Sequence, residues 1–161
     1  MDERGGLEVS SVLSRVVAAS LCLTLVLATS KTGADAPPGR YTYPAMQTVH
    51  DTMTTLTWTQ AASPGTLSQA DASTYCSGQT LAGSGWRLPT VKELLTLVDY
   101  SQTGGGVPMI DPTAFPSMPS AAFWSATSVA GSPGNAWSVD FSAGLTSEDA
   151  VTTTSYVLCV R

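Results

Sequence analysis

The apolar residues of this chain fall into several distinct patterns. A solid apolar run, Val16 to Ala28 (VVAASLCLTLVLA), follows a polar start that holds Asp2, Glu3, Arg4, Glu8 and Arg15. It is too short to span a ~30 Å hydrocarbon core, which needs about 20 residues as a helix. Its length and the small residues after it match the apolar stretch of a secretory signal peptide. Cleavage is expected after Ser30, or as late as Ala36 in the small-x-small triplet Ala34-Asp35-Ala36. An uncleaved anchor is the alternative, because acids are atypical of a signal start. Leu21 stands before Cys22 where a lipoprotein signal needs a small residue, so lipidation is rejected. Residues 1–30 are thus read as a signal peptide, 31–40 with Pro37-Pro38-Gly39 as a linker, and 41–161 as the folded domain.

Within that domain the apolar spacing alternates between strand and helix periods. From Tyr41 to Gln60, Val49 and then Leu56 and Trp58 sit in Thr-rich stretches, which predicts two strands turned at Asp51-Thr52. Ser63-Pro64-Gly65 ends the second. Thr66 and Gln69 have the spacing of a capping box and predict a helix with Ala72, Tyr75 and Cys76 on its buried face. Thr90 and Glu93 form another such box after Pro89. Val91, Leu94, Leu95 and Val98 then predict a second amphipathic helix running to about Tyr100. Residues 101–121 read as a long ordered loop with Ile110, Phe115 and Met118 as anchors. Beyond it, Phe123-Trp124-Ser125 predicts a short strand and Ala130 to Asn135 a turn. Trp137, Val139 and Phe141 share one face of another strand, Ser142-Ala143-Gly144 turns the chain, and Tyr156 to Val160 forms a terminal strand. The expected class is α+β: two helices with short antiparallel strands and long loops.

Composition and charge narrow the chemistry. The 161 residues carry 12 acids and 7 bases, a net charge of -5, and one histidine, His50. From Pro37 onward, four bases (Arg40, Arg87, Lys92 and Arg161) face eight acids, giving -4, and no basic cluster exists. Nucleic acid is excluded as a partner, and a polyanion such as a glycosaminoglycan is disfavoured. With Cys22 removed in the signal, Cys76 and Cys159 remain, and an even pair in an exported chain predicts a disulfide across 83 residues of sequence (159 − 76). Two buried thiols are the alternative. A catalytic thiol is disfavoured because His50, the sole histidine, lies far from either cysteine in sequence.

The ordered motifs resemble a family. They are Val49-x-Asp51, Leu56-x-Trp58, Tyr75-Cys76, Trp86-Arg87-Leu88-Pro89-Thr90 with Glu93-Leu94, and Leu97 to Ser101. Ile110-Asp111, Phe115-Pro116, Trp124-Ser125-Ala126-Thr127, Ala136-Trp137-x-Val139-x-Phe141 and Tyr156-Val157-x-Cys159-Val160-Arg161 continue the series. Together they resemble the Lcl C-terminal domain family of secreted bacterial proteins, a domain of unknown function also found at the end of a collagen-like adhesin. The resemblance spans about residues 41–161. It implies a C-type-lectin-like layout, in which Cys76 on a helix and Cys159 on the terminal strand match the outer bridge. One departure lies at Tyr43 to Gln47, where family members often carry an Asp/Gly-rich loop, so no metal or ligand role of that loop is carried over. The chain has neither the Glu-Pro-Asn or Gln-Pro-Asp nor the Trp-Asn-Asp motif of calcium-dependent sugar sites, so the resemblance implies a scaffold and not a chemistry.

Candidate chemistry remains sparse. Arg87 could clamp a carboxylate or sulfate, but pairing with Glu93 or Asp99 and stacking on Trp86 is favoured, which makes Trp86, Arg87, Leu88, Pro89, Thr90 and Glu93 a structural motif. Asp99, Asp111 and Asp140 could share calcium, but isolated Asp residues more often cap turns; no metal or cofactor is expected. Trp58 and Trp86 are assigned to the core. Trp124 and Trp137, flanking the turn near Asn135 with the Ser125, Thr127 and Ser128 hydroxyls, are the candidate ligand-binding set (Trp124, Ser125, Asn135 and Trp137). The expected protein is exported, to the periplasm, the cell surface or the medium. It binds a glycan or other surface polymer without catalysis. A structural or homo-oligomerising envelope module is the alternative and an enzyme a more distant one, and membrane contact would come only through an uncleaved N-terminal segment.

Overall fold

A computed structural model describes residues 36–45, 47–102 and 105–161. The expected signal peptide, residues 1–30, and the first half of the expected linker, residues 31–35, lie outside the described residues. No helix among those described is long and apolar enough to cross a membrane.

The β-branched, Thr-rich start folds as a small antiparallel sheet of β1 (Tyr41–Thr42), β2 (Thr48–Asp51) and β3 (Thr57–Thr59) in that order. The register sets Val49 opposite Trp58, and both are fully buried. Asp51 closes the turn as expected: Oδ1 accepts the Met53 N–H at 2.9 Å, and Thr55 takes a left-handed φ of 62° before the chain returns at Leu56. Asp51 also receives Arg40, from Nε at 3.1 Å and Nη2 at 2.6 Å, while the same Nη2 donates to Thr96 O at 2.7 Å. One guanidinium thereby fastens the entry segment, the first sheet and the end of the second helix. Burial pushes the Asp51 carboxyl up, but the hydrogen bonds from Arg40 and the Met53 amide outweigh it and hold the group below its usual value.

Helix α1 spans Gln69–Ser77 and places Ala72 and Cys76 at full burial with Tyr75 half-buried, as the spacing predicts. Its cap differs from expectation. Ser68, not Thr66, accepts the Asp71 N–H, because Leu67 is still held in an extended bridge with Ser155. Helix α2 has the predicted capping box of Thr90 and Glu93, but it covers only Val91–Leu95. Thr96 Oγ1 donates to Glu93 O at 2.7 Å, and the next amides bond three residues back, Leu97 N to Leu94 O and Val98 N to Leu95 O. The last turn is therefore tightened, which rotates Leu97 into the core and leaves Leu95 38% exposed. The following loop is anchored by Ile110, Phe115 and Met118, all buried.

The second sheet holds β4 (Ala122–Val129), β5 (Ser132–Asp140) and β6 (Leu145–Ala150), antiparallel and in that order. Two predicted features give way here. The turn is only Ala130-Gly131, with Gly131 at φ 79°, and Ser132 to Asn135 already belong to β5. β6, with the sequence Leu-Thr-Ser-Glu-Asp-Ala, was not expected at all; almost every residue in it is exposed, so it lacks the apolar alternation that marks a half-buried strand. The terminal segment is not a continuous strand either. It makes single bridges to several elements, Leu67↔Ser155, Phe123↔Tyr156, Trp58↔Val160 and Arg87↔Val160, and so stitches both sheets together.

The core lies on both faces of the second sheet. Phe123, Val139 and Phe141 join Val49, Trp58, Leu94 and Ile110 on one side. Trp124 and Ala136 join Ala72, Trp86, Leu88 and the two cysteines on the other. Cys76 and Cys159 form a disulfide with Cα atoms 5.3 Å apart, fully buried, tying α1 to the terminal segment. Trp58 Nε1 has no hydrogen-bond partner among the described residues, a desolvation cost of about 1–3 kcal/mol that the packed apolar cluster around it offsets.

Candidate functional site

The predicted ligand set does not converge on an open surface. Trp124 is fully buried, and its Nε1 donates to Leu67 O at 2.8 Å. Ser125 is buried too, its hydroxyl spent on Trp137 O at 2.6 Å. Thr127 Oγ1 accepts the Val91 N–H at 3.0 Å and so helps begin α2. Asn135 and Trp137 stand two apart on β5 and are half-buried. Of the set, then, Trp137 and Asn135 reach solvent, while Trp124 and Ser125 hold β4 against the helices. Trp58 and Trp86 are core residues, as assigned from sequence.

The structural role read for the Trp86–Glu93 segment is present in modified form. Arg87 meets Glu93 through two parallel bonds, Nη1 to Oε2 at 2.9 Å and Nη2 to Oε1 at 2.6 Å. Glu93 in turn accepts the Thr90 N–H at 2.7 Å and the Thr90 hydroxyl at 3.0 Å. The Arg87 guanidinium, with the Thr90 donors behind it, holds the Glu93 carboxyl at about 2. Arg87 does not stack on Trp86. Arg161 does, with its guanidinium carbon 5.1 Å from the ring centroid. The fork of Arg87 is thus occupied internally.

Nor do the three acids weighed for calcium meet. Asp99 Oδ1 accepts the Ser101 N–H, Asp111 Oδ1 the N–H groups of Thr113 and Ala114, and Asp140 Oδ1 the Ser142 N–H. Each closes its own turn. Among the described residues, no three His, Cys, Asp or Glu side chains group so as to hold a metal ion.

Among the described residues, a concavity lies elsewhere, between the first sheet and α1. It is a cleft of about 230 Å³ lined by Gln47, Thr59, Gln60, Tyr75, Gln79 and Leu81, with Ala61 and Ala62 at its wall. β3 supplies Thr59, and Gln60 follows just past its end. Consecutive turns of α1 and its exit supply Tyr75 and Gln79, either side of Cys76. The disulfide therefore fixes the distance between the walls: Thr59 N donates to Cys159 O at 3.0 Å, and Cys159 N to Thr59 Oγ1 at 3.2 Å. Leu81 is set by Trp86, whose Nε1 donates to its carbonyl at 2.9 Å.

The polar groups of the cleft are carboxamides. Gln60 Nε2 donates to Ala114 O and Gln79 Nε2 to Tyr75 O, each at 3.3 Å, which fixes both side chains while their oxygens remain as acceptors. Gln47 holds φ at 65°, a left-handed conformation costing about 1–2 kcal/mol for a residue with a side chain. Its carbonyl accepts the Gln60 N–H at 2.8 Å, so the first sheet holds it in place. Among the described residues, no charged side chain lines the cleft. Sequence reasoning assigned no ligand role to these residues. The three glutamines belong to no spaced motif, and Gln47 falls in the loop that departs from the family pattern.

Comparison with known proteins gives one family. The Lcl C-terminal domain matches residues 47–161. No curated protein matches the chain.

Proposed function

We propose that this chain, which belongs to the Lcl C-terminal domain family, is an exported, non-catalytic binding module whose carboxamide-lined cleft takes one uncharged, hydroxyl-rich unit of a glycan or similar surface polymer. The observation that carries this reading is the lining itself: three glutamines, a threonine and a tyrosine with Leu81 and two alanines, and no charge among the described residues. Carboxamides offer paired donors and acceptors at fixed geometry, which suits vicinal hydroxyls. The Tyr75 ring and Leu81 offer apolar surface for the carbon face of a sugar. Anionic sugars find no cation there. Among the described residues, the lining also holds no carboxylate, thiol or imidazole to act as acid, base or nucleophile, which supports binding without turnover.

The Cys76–Cys159 bridge supports export, because such bonds persist in oxidising compartments. The arrangement, a helix bridged to the terminal segment beside two small antiparallel sheets, also supports reading the fold as C-type-lectin-like.

The test is a glycan array probed with the oxidised full chain, in calcium and in EDTA. Neutral glycans are expected to bind equally in both, and the double variant Gln60→Ala/Gln79→Ala, with unchanged melting temperature, to lose that binding. Dependence on calcium, or indifference to the double variant, would contradict the reading.

A further inference from the structure

The outer edge of the second sheet carries a different feature. β6 pairs β5 on one side, and no described strand pairs β6 on the other. Every residue of β6 except Asp149 is exposed. The direction of its backbone groups follows from one bond: Val151 N donates to Gly134 O at 2.9 Å, just outside the Asn135↔Ala150 pair. In an antiparallel ladder that bond marks Asn135↔Ala150 as a pair without mutual hydrogen bonds. The alternation then makes Trp137↔Glu148 and Val139↔Thr146 pairs of the same kind. Thr146, Glu148 and Ala150 therefore turn their N–H and C=O groups toward the open edge.

Pairs of this type also bring side chains closest together, so exposed Glu148 stands against half-buried Trp137 on one face. A carboxylate beside an indole ring suits a cation, which gains both an ion pair and the ring's negative face. A residue on an added strand opposite Glu148 would share that face and reach both groups.

We propose that β6 is a docking edge for an extended, basic segment of a partner protein, which adds as a fourth strand and sets a lysine or arginine against Glu148 and Trp137. The acidic balance of the chain, -5 overall, favours such a partner. It disfavours a second copy: the two-fold antiparallel register that uses all three outward-turned residues pairs Thr146 with Ala150 and sets Glu148 directly against Glu148. Natural sheets commonly guard edges with charge, and here the charge selects the partner.

The probe is an octapeptide of alternating lysine and threonine, titrated into the ¹⁵N-labelled full chain. Two controls accompany it, the same peptide with glutamate for lysine and the lysine peptide N-methylated at alternate amides. The expected result is amide shifts confined to β6 and the Trp137 indole, with neither control binding. Glu148→Lys should weaken binding by about tenfold or more. Thr146→Pro, which removes an outward N–H and spares the β5 ladder, should weaken it without lowering the melting temperature. Absence of β6 shifts, equal binding of the N-methylated peptide, or equal binding by Glu148→Lys would overturn the proposal.

Discussion

At the scale of single residues, partners decide roles that residue type leaves open. Arg87 illustrates this. Its fork geometry suits a bound anion, yet Glu93 fills it, and Glu93 is held there by the Thr90 capping box. The Glu93 carboxyl is pulled from 4.5 to about 2 by Arg87 and by Thr90. Because the folded value lies below the unfolded one, its stabilisation is complete above about pH 4.5 and is lost as pH falls toward 2. A carbon-detected titration of Glu93 should show that low midpoint, and Glu93→Ala should cost about 1–2 kcal/mol at pH 7, with a smaller penalty near pH 2. Tryptophans divide in the same way. Trp124→Ala empties a fully buried site and removes the donor to Leu67 O, so denaturant melts should show a loss of about 3–5 kcal/mol. Trp137→Ala, at a half-buried position, should cost far less. Sequence marked both as equals because each flanks a polar stretch; only the pairing Trp124↔Ser138, which turns Trp124 inward, separates them.

At the scale of elements, legibility followed the strength of the local signal. The capping box of α2 was readable because Thr90 and Glu93 need no tertiary help to find each other. The start of α1 was misplaced by two residues because the Leu67↔Ser155 bridge, a contact across 88 residues (155 − 67), holds Leu67 extended. β6 was invisible because its stability comes from the β5 ladder and the turn at Gly144, not from a buried face of its own. Gly144 takes a φ of 67° with Tyr100 OH donating to its carbonyl at 2.8 Å, which pins that hairpin to the end of α2's loop. The disulfide was readable from counting cysteines, and it joins α1 to a terminal segment that has no continuous ladder. Removing it as Cys76→Ala/Cys159→Ala should therefore cost much of the about 4–5 kcal/mol that chain entropy allows for a loop of 83 residues. Amide exchange should show the loss first in α1 and residues 155–161.

At the scale of the whole molecule, the two sheets, the helices and the terminal segment converge on one result, a neutral cleft braced by a buried disulfide. The class of the fold was legible, since two amphipathic helices and Thr-rich strands each leave a periodic trace. The cleft was not. Its glutamines come from a left-handed loop residue, the position just past β3 and the exit of α1; the Gln60 N–H to Gln47 O bond joins the first two, and the bridge between Cys76 and Cys159 ties in α1. The most direct measurement of the central claim is the response of the glutamine side-chain amides in ¹⁵N spectra of the oxidised chain as a bound neutral glycan is titrated. The account predicts that the NH₂ pairs of Gln47, Gln60 and Gln79 shift together while the Trp137 indole stays still. Shifts at Trp137 and Asn135 with those glutamines silent would contradict it and return the site to β5.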